Sequence, residues 1–169
     1  GYFQSMDSMS AEFIQVTPAG DMLSGTFYLK RPGRLRFEYD GIEDFIVADG
    51  QLIYFYDAEL GSQSHAPIGE TPAGYLLRQD LDLEDDITVQ NVVQSNGQIF
   101  LRLARKDDPK AGSITMIFET DPLRLQEWIV RDAQDNLTRV ELRNITMNPD
   151  LDKTLFVYHD PDQGRQFNE

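Results

Sequence analysis

The residues able to do covalent chemistry are few and scattered. Cysteine is absent and histidine occurs twice, at His65 and His159. Without a thiol, disulfides and cysteine-based zinc or nucleophilic chemistry are excluded. The two imidazoles stand far apart in sequence and neither sits in a recognisable motif, so each reads as a surface residue rather than a general base. No G-x-S-x-G elbow, Walker loop, dinucleotide-binding glycine pattern or H-E-x-x-H helix occurs. The acidic run DLDLEDD from Asp80 to Asp86 superficially resembles a calcium loop. An EF-hand needs glycine at its sixth place and glutamate at its twelfth. Those places hold Asp85 and Asn91, so the run reads as a solvated loop. Carboxylates are plentiful, but a hydrolytic pair needs a defined separation across a cleft, which sequence does not show. No catalytic residue, metal site or cofactor is expected.

The other chemistry available is the burial of apolar chains. In GTFYLKRPGRLRFEYD, residues 25–40, two strands flank a corner at Arg31-Pro32-Gly33. Alternate residues of a strand share a face. That places Phe27, Leu29 and Arg31 in one row, and Leu35, Phe37 and Tyr39 in the next. The loading continues with Ile46 in DFIVADG and Phe55 in QLIYFYD, where both faces of the strand are apolar. Two readings remain open: a sheet packed on both sides, or a concave sheet whose inner face lines a cavity for an apolar ligand. An arginine ending an apolar row calls for a partner at the rim.

Such rows need a sheet to hold them. A chain of 169 residues, 40% hydrophobic and 26% charged, fits one globular domain. Its net charge of −14 argues against nucleic acid and against adsorption to an anionic bilayer. No window approaches the ~20 apolar residues of a membrane span. Residues 1–6, GYFQSM, read as the remnant of a cleavable tag, leaving 7–169 as a single domain. Short apolar runs are punctuated by Asp49-Gly50, Asn96-Gly97, Asp121-Pro122 and Asp135-Asn136. Such turns join antiparallel neighbours, so the pattern predicts a meander of about ten strands. One segment differs: Thr71 as N-cap and Pro72 at the first helical position predict a short helix to about Gln79, carrying Leu76 and Leu77. The segment DSMSAEF reads as the last turn of a second helix whose start lies before this sequence.

Taken in order, AEFIQV, SGTFYLKRPGRLRFEYD, IVADGQLIYFYD with its Asp49-Gly50 turn, and TPAGYLL resemble the outer-membrane lipoprotein carrier family (LolA type) of Gram-negative bacteria. The later strands and LFVYHDP match more loosely. The resemblance implies a mainly β (α+β) fold, an incomplete, half-open antiparallel β-barrel of about ten or eleven strands. A short-helix lid would cover an apolar cavity. It implies a periplasmic carrier rather than an enzyme, one that shields the acyl chains of lipoproteins between inner and outer membrane. Its partners would be acylated lipoproteins, an inner-membrane ABC-type release complex and an outer-membrane acceptor, with the carrier a monomer. Phe27, Leu29, Leu35, Phe37, Tyr39, Ile46 and Phe55 would line the cavity, with Leu76 and Leu77 from the lid. Leu35 corresponds to a position near the mouth. Arg31, the arginine of the R-P motif, would latch the lid through peptide groups near Leu76 and Leu77. A different class with the same architecture is a periplasmic lipid-sensing or signalling regulatory domain.

Overall fold

Connections of two to five residues leave a strand little choice but to fold back beside its predecessor. The structure, a computed structural model, describes residues 7–71, 87–120 and 122–161. Within them lie eleven strands. The first half holds β1 (Ser8–Val16), β2 (Met22–Lys30), β3 (Arg34–Tyr39), β4 (Phe45–Asp49), β5 (Leu52–Asp57) and β6 (Ser62–Pro67). The second holds β7 (Ile87–Ser95), β8 (Gln98–Arg105), β9 (Gly112–Glu119), β10 (Arg124–Asp132) and β11 (Leu137–Met147). They form one antiparallel sheet in the order β6-β5-β4-β3-β2-β1-β11-β10-β9-β8-β7. Each half is a meander, and the pairing of β1 with β11 fuses the two. The sheet is unclosed, with β6 and β7 at its ends. Helix among the described residues is limited to two 3-10 turns, Ile68–Glu70 and Lys153–Phe156.

Local chemistry explains the corners. Asn96 and Gly97 both have positive φ, 52° and 76°, the geometry that lets a two-residue turn follow strand twist. Asp49 Oδ1 accepts from the backbone N–H groups of Gln51 and Leu52 at 2.9 and 3.0 Å, tying the β4–β5 turn. Gly25 on β2 marks a close approach: a Cβ there would fall 1.8 Å from the Glu38 carbonyl oxygen and 3.0 Å from the Phe13 ring.

The sheet curls strongly. β3 and β10 are four strands apart, about 19 Å along a flat sheet. Yet the rings of Phe37 and Trp128 lie 6.2 Å apart, and those of Phe27 and Trp128 5.4 Å. The core therefore sits on the concave side, built from Met9, Phe13, Phe27, Leu29, Leu103, Met116 and Leu142, all at most 1% exposed. The convex side of the first half is covered too. Phe45, Tyr54 and Tyr158 stack there, with centroids of Tyr54 and Tyr158 4.7 Å apart. Arg36 lies over the Phe45 ring and donates to the Leu155 carbonyl at 3.2 Å. Buried Phe156 belongs to this same C-terminal stretch. QLIYFYD is thus covered on its convex face, while Ile53 and Phe55 turn to the concave side.

Two expectations are corrected. DSMSAEF is not a helical turn but the start of β1, with Met9, Ala11 and Phe13 buried in alternation and neighbours on both sides. Pairing on two edges outweighs the local helix preference of Met, Ala and Glu. Ser62–Pro67 adds a strand that the apolar pattern did not mark; its polar residues are mostly exposed and, among the described residues, it pairs with β5 alone. The helix expected from Pro72 to Gln79, with Leu76 and Leu77, and residues 1–6 lie outside the described residues.

Candidate functional site

Curling the sheet leaves a hollow of about 350 Å³ on its concave side. One wall comes from β3 to β5, with Leu35, Phe37, Ile46, Ile53 and Phe55. The other comes from β9 to β11, with Ile114, Trp128, Val130, Thr138 and Val140. Gln15 of β1 and Thr71 complete the lining. The walls follow strand register: Phe37 pairs with Ile46 and Ile46 with Phe55, while Val130 pairs with both Ile114 and Thr138. Among the described residues the lining carries no carboxylate, amine or imidazole, so its chemistry is contact with apolar surface.

Of the residues named from sequence, Leu35, Phe37, Ile46 and Phe55 meet in this hollow. Phe27 and Leu29 belong to the same row but are 1% exposed and form part of the packed floor. Tyr39 stands at one end, its hydroxyl donating to Gln15 Oε1 at 2.7 Å. Burial, reinforced by the Asp44 carboxylate, pushes the Tyr39 phenol well above its ordinary range, while the Gln15 bond pulls the other way. Arg31 follows β2 at the opposite end, 6% exposed, and its backbone N–H donates to the Asp7 carbonyl at 2.8 Å. Leu76 and Leu77 lie outside the described residues. The far wall was missed. Its signal was the spacing of two between Ile114 and Met116, Trp128 and Val130, and Thr138 and Val140.

A second hollow of about 390 Å³ adjoins the first, and the two share Gln15, Ile46 and Phe55. Its remaining lining includes Tyr39, Asp44, Asp57, Ser62 and Ser64, from the same rim as Gln15. Among the described residues no group of three histidine, cysteine or carboxylate side chains could hold a metal. His65 sits on the end strand β6, its Nδ1 2.7 Å from Gln63 Nε2, away from both hollows.

Comparison with known proteins bears on this geometry. The family model for the outer membrane lipoprotein carrier protein LolA matches residues 4–159. The outer-membrane lipoprotein carrier protein of Legionella pneumophila (strain Lens) is 30% identical, over 93% of this chain and 81% of that protein. That of Methylococcus capsulatus is 29% identical, over 95% of this chain and 81% of its own. Among solved structures, a putative outer membrane lipoprotein-sorting protein domain from Vibrio parahaemolyticus superposes with a TM-score of 0.52 at 8% identity, covering 88% of each chain. An uncharacterised conserved protein from Thermus thermophilus gives 0.51 at 10% identity, covering 94% of this chain and 89% of its own. At such identities these two structures speak for the fold alone.

Proposed function

The chain belongs to the outer membrane lipoprotein carrier family, and from that premise we propose that it shields the acyl chains of lipoproteins in the concave hollow and shuttles them through the periplasm. The observation that carries this reading is the hollow itself: ligand-sized, walled by aliphatic and aromatic side chains, and reached from an unclosed sheet. Burying an acyl chain gains ~0.8 kcal/mol per CH₂, so about fifteen carbons yield roughly 12 kcal/mol before ordering costs. That is enough to hold a lipid chain without any covalent step, in keeping with a binding protein rather than an enzyme.

The residues proposed to touch acyl chains are Leu35, Phe37, Ile46 and Phe55, with Phe27, Leu29 and Tyr39 behind or beside them, and Leu76 and Leu77 from a covering helix. Arg31 is proposed as the latch on that cover. The connection from β6 to β7 joins the two ends of the sheet, which is where a cover over the opening would start and finish. An inner-membrane ABC-type release complex would load the carrier and an outer-membrane acceptor would unload it, the carrier acting as a monomer.

Trp128 is the single tryptophan and lines the hollow, so binding has a built-in reporter. Titration with a triacylated lipopeptide should change its fluorescence saturably, at one ligand per protein. A linear, non-saturating change, or none, would count against the carrier reading.

A further inference from the structure

The rim opposite Arg31 holds polar chemistry for which an acyl chain has no use. β1 pairs with β2 so that Ser8 faces Lys30 and Gln15 faces Leu23. Gln15 is therefore roughly 23 Å along the strands from the arginine end. The Tyr39 hydroxyl fixes the Gln15 amide by donating to Oε1. That leaves the Gln15 Nε2 donors with no hydrogen bond among the described residues, at the boundary of the two hollows. Beyond the boundary the surroundings change character, to Ser62 and Ser64 hydroxyls and the Asp44 and Asp57 carboxylates. One oxygen of each carboxylate accepts a backbone N–H, from Ala58 at 2.9 Å and Leu60 at 3.1 Å. A donor poised at the end of an apolar space, with hydroxyls past it, matches the join between a hydrocarbon tail and its polar head.

We infer that the second hollow is a headgroup subsite: Gln15 Nε2 donates to the ester carbonyl of an acyl chain lying in the first hollow, and the attached glyceryl and first peptide groups lie against Ser62 and Ser64. This rests on the carrier reading and adds a direction to it. The lipid enters tail towards Leu35 and Ile53, which register places near the Arg31 end of the first hollow, and its polar end leaves by the rim away from Arg31. With two carboxylates in the wall, the head accommodated there is neutral or cationic. Gln15 is then a specificity residue, since a donor left unpaired by a ligand without the carbonyl costs affinity that a purely apolar wall would not.

The test compares a diacylglyceryl lipopeptide with its dialkyl ether analogue of equal chain length, which lacks the carbonyl. By Trp128 fluorescence the wild-type protein should bind the ester about tenfold more tightly. Gln15→Leu should reduce that ratio to near one. So should Gln15→Leu with Tyr39→Phe, which removes both hydrogen-bonding partners and so leaves no orphan behind. Ser64→Phe, on the exposed strand β6, should weaken the ester lipopeptide about tenfold, and leave a long-chain fatty amide, which has no glyceryl or peptide part, unaffected. Equal affinity for ester and ether in the wild type, or a ratio unchanged by Gln15→Leu, overturns the subsite while leaving the carrier intact. Failure of both lipopeptides to saturate overturns the carrier reading and the subsite with it.

Discussion

Phe37 and Phe55 share a face of the sheet and a wall of the hollow, yet substitution should separate their roles. Phe37 is 7% exposed and its ring lies 5.1 Å from Phe13, 4.8 Å from Phe27 and 6.2 Å from Trp128. Phe37→Ala should cost about 3–5 kcal/mol of stability, the ordinary cost of emptying a packed aromatic site, seen as a lower urea midpoint. Phe55 is 39% exposed and lines both hollows. Phe55→Glu should leave the midpoint nearly unchanged, because the side chain reaches water. It should still weaken lipopeptide binding at least about tenfold, because an acyl chain would then desolvate a carboxylate. A Phe55→Glu protein that binds normally would remove that residue from the site. Parity in the sequence was enough to place Leu35, Phe37 and Tyr39 on one face, while Ile46 and Phe55 came to the site through the family resemblance. Parity was not enough to tell these from Phe27 and Leu29, since it gives a face and only curvature gives depth. Gln15 and Thr138 were illegible for another reason: single polar residues on an apolar face carry no periodic signal.

At the scale of elements, the turns were the legible part and the ends of the sheet were not. Asp-Gly, Asn-Gly and Asp-Asn pairs announced the β4–β5, β7–β8 and β10–β11 corners because those backbones require their chemistry. β6 carried no such announcement: SQSHAP has no apolar alternation and is a strand only because β5 offers it an edge. Nor did sequence foresee that the C-terminal stretch covers the convex face. There the Asp152 side chain caps the Lys153–Phe156 turn, accepting from the Thr154 backbone N–H at 2.9 Å and its hydroxyl at 3.0 Å. Those bonds hold the Asp152 carboxyl below its ordinary value of 3.8, the backbone bond foremost. Asp132 is lowered likewise, chiefly by the Asn136 backbone N–H and then by the Asn136 side chain and the Gln134 backbone N–H in the β10–β11 turn. A depressed folded-state value stabilises the fold above the unfolded value, and the contribution disappears as pH falls through the folded one. Thermal melts should therefore show Asp152→Ala less stable than wild type at neutral pH. The difference should shrink below pH 3.8, where the wild type loses the charged cap. A difference independent of pH would assign the loss to packing instead of charge.

For the molecule as a whole, the decisive feature is that the sheet does not close. A closed barrel would hold a ligand or exclude it; a curled sheet whose end strands β6 and β7 do not pair leaves its concave side open. Sequence conveyed the meander, since every turn was local. It did not convey the fusion of β1 to β11, which brings together residues at opposite ends of the chain. If Arg31 fastens a cover over the opening, the empty protein divides between closed and open states, and apparent affinity is the intrinsic affinity scaled by the open fraction. A charged guanidinium forms hydrogen bonds worth roughly 1.5–3 kcal/mol each. Removing them raises the open fraction and leaves the acyl-chain contacts untouched. Arg31→Leu should then bind lipopeptide at least as tightly as wild type. It should deliver that lipopeptide more slowly to acceptor vesicles, because reclosure no longer helps to expel the chain. Binding and transfer must be measured on the same preparation, with the unfolding midpoint as control, since Arg31 is buried. Weaker binding with faster loss would make Arg31 a cavity residue. Unaltered transfer would leave it a structural end to the β2 row.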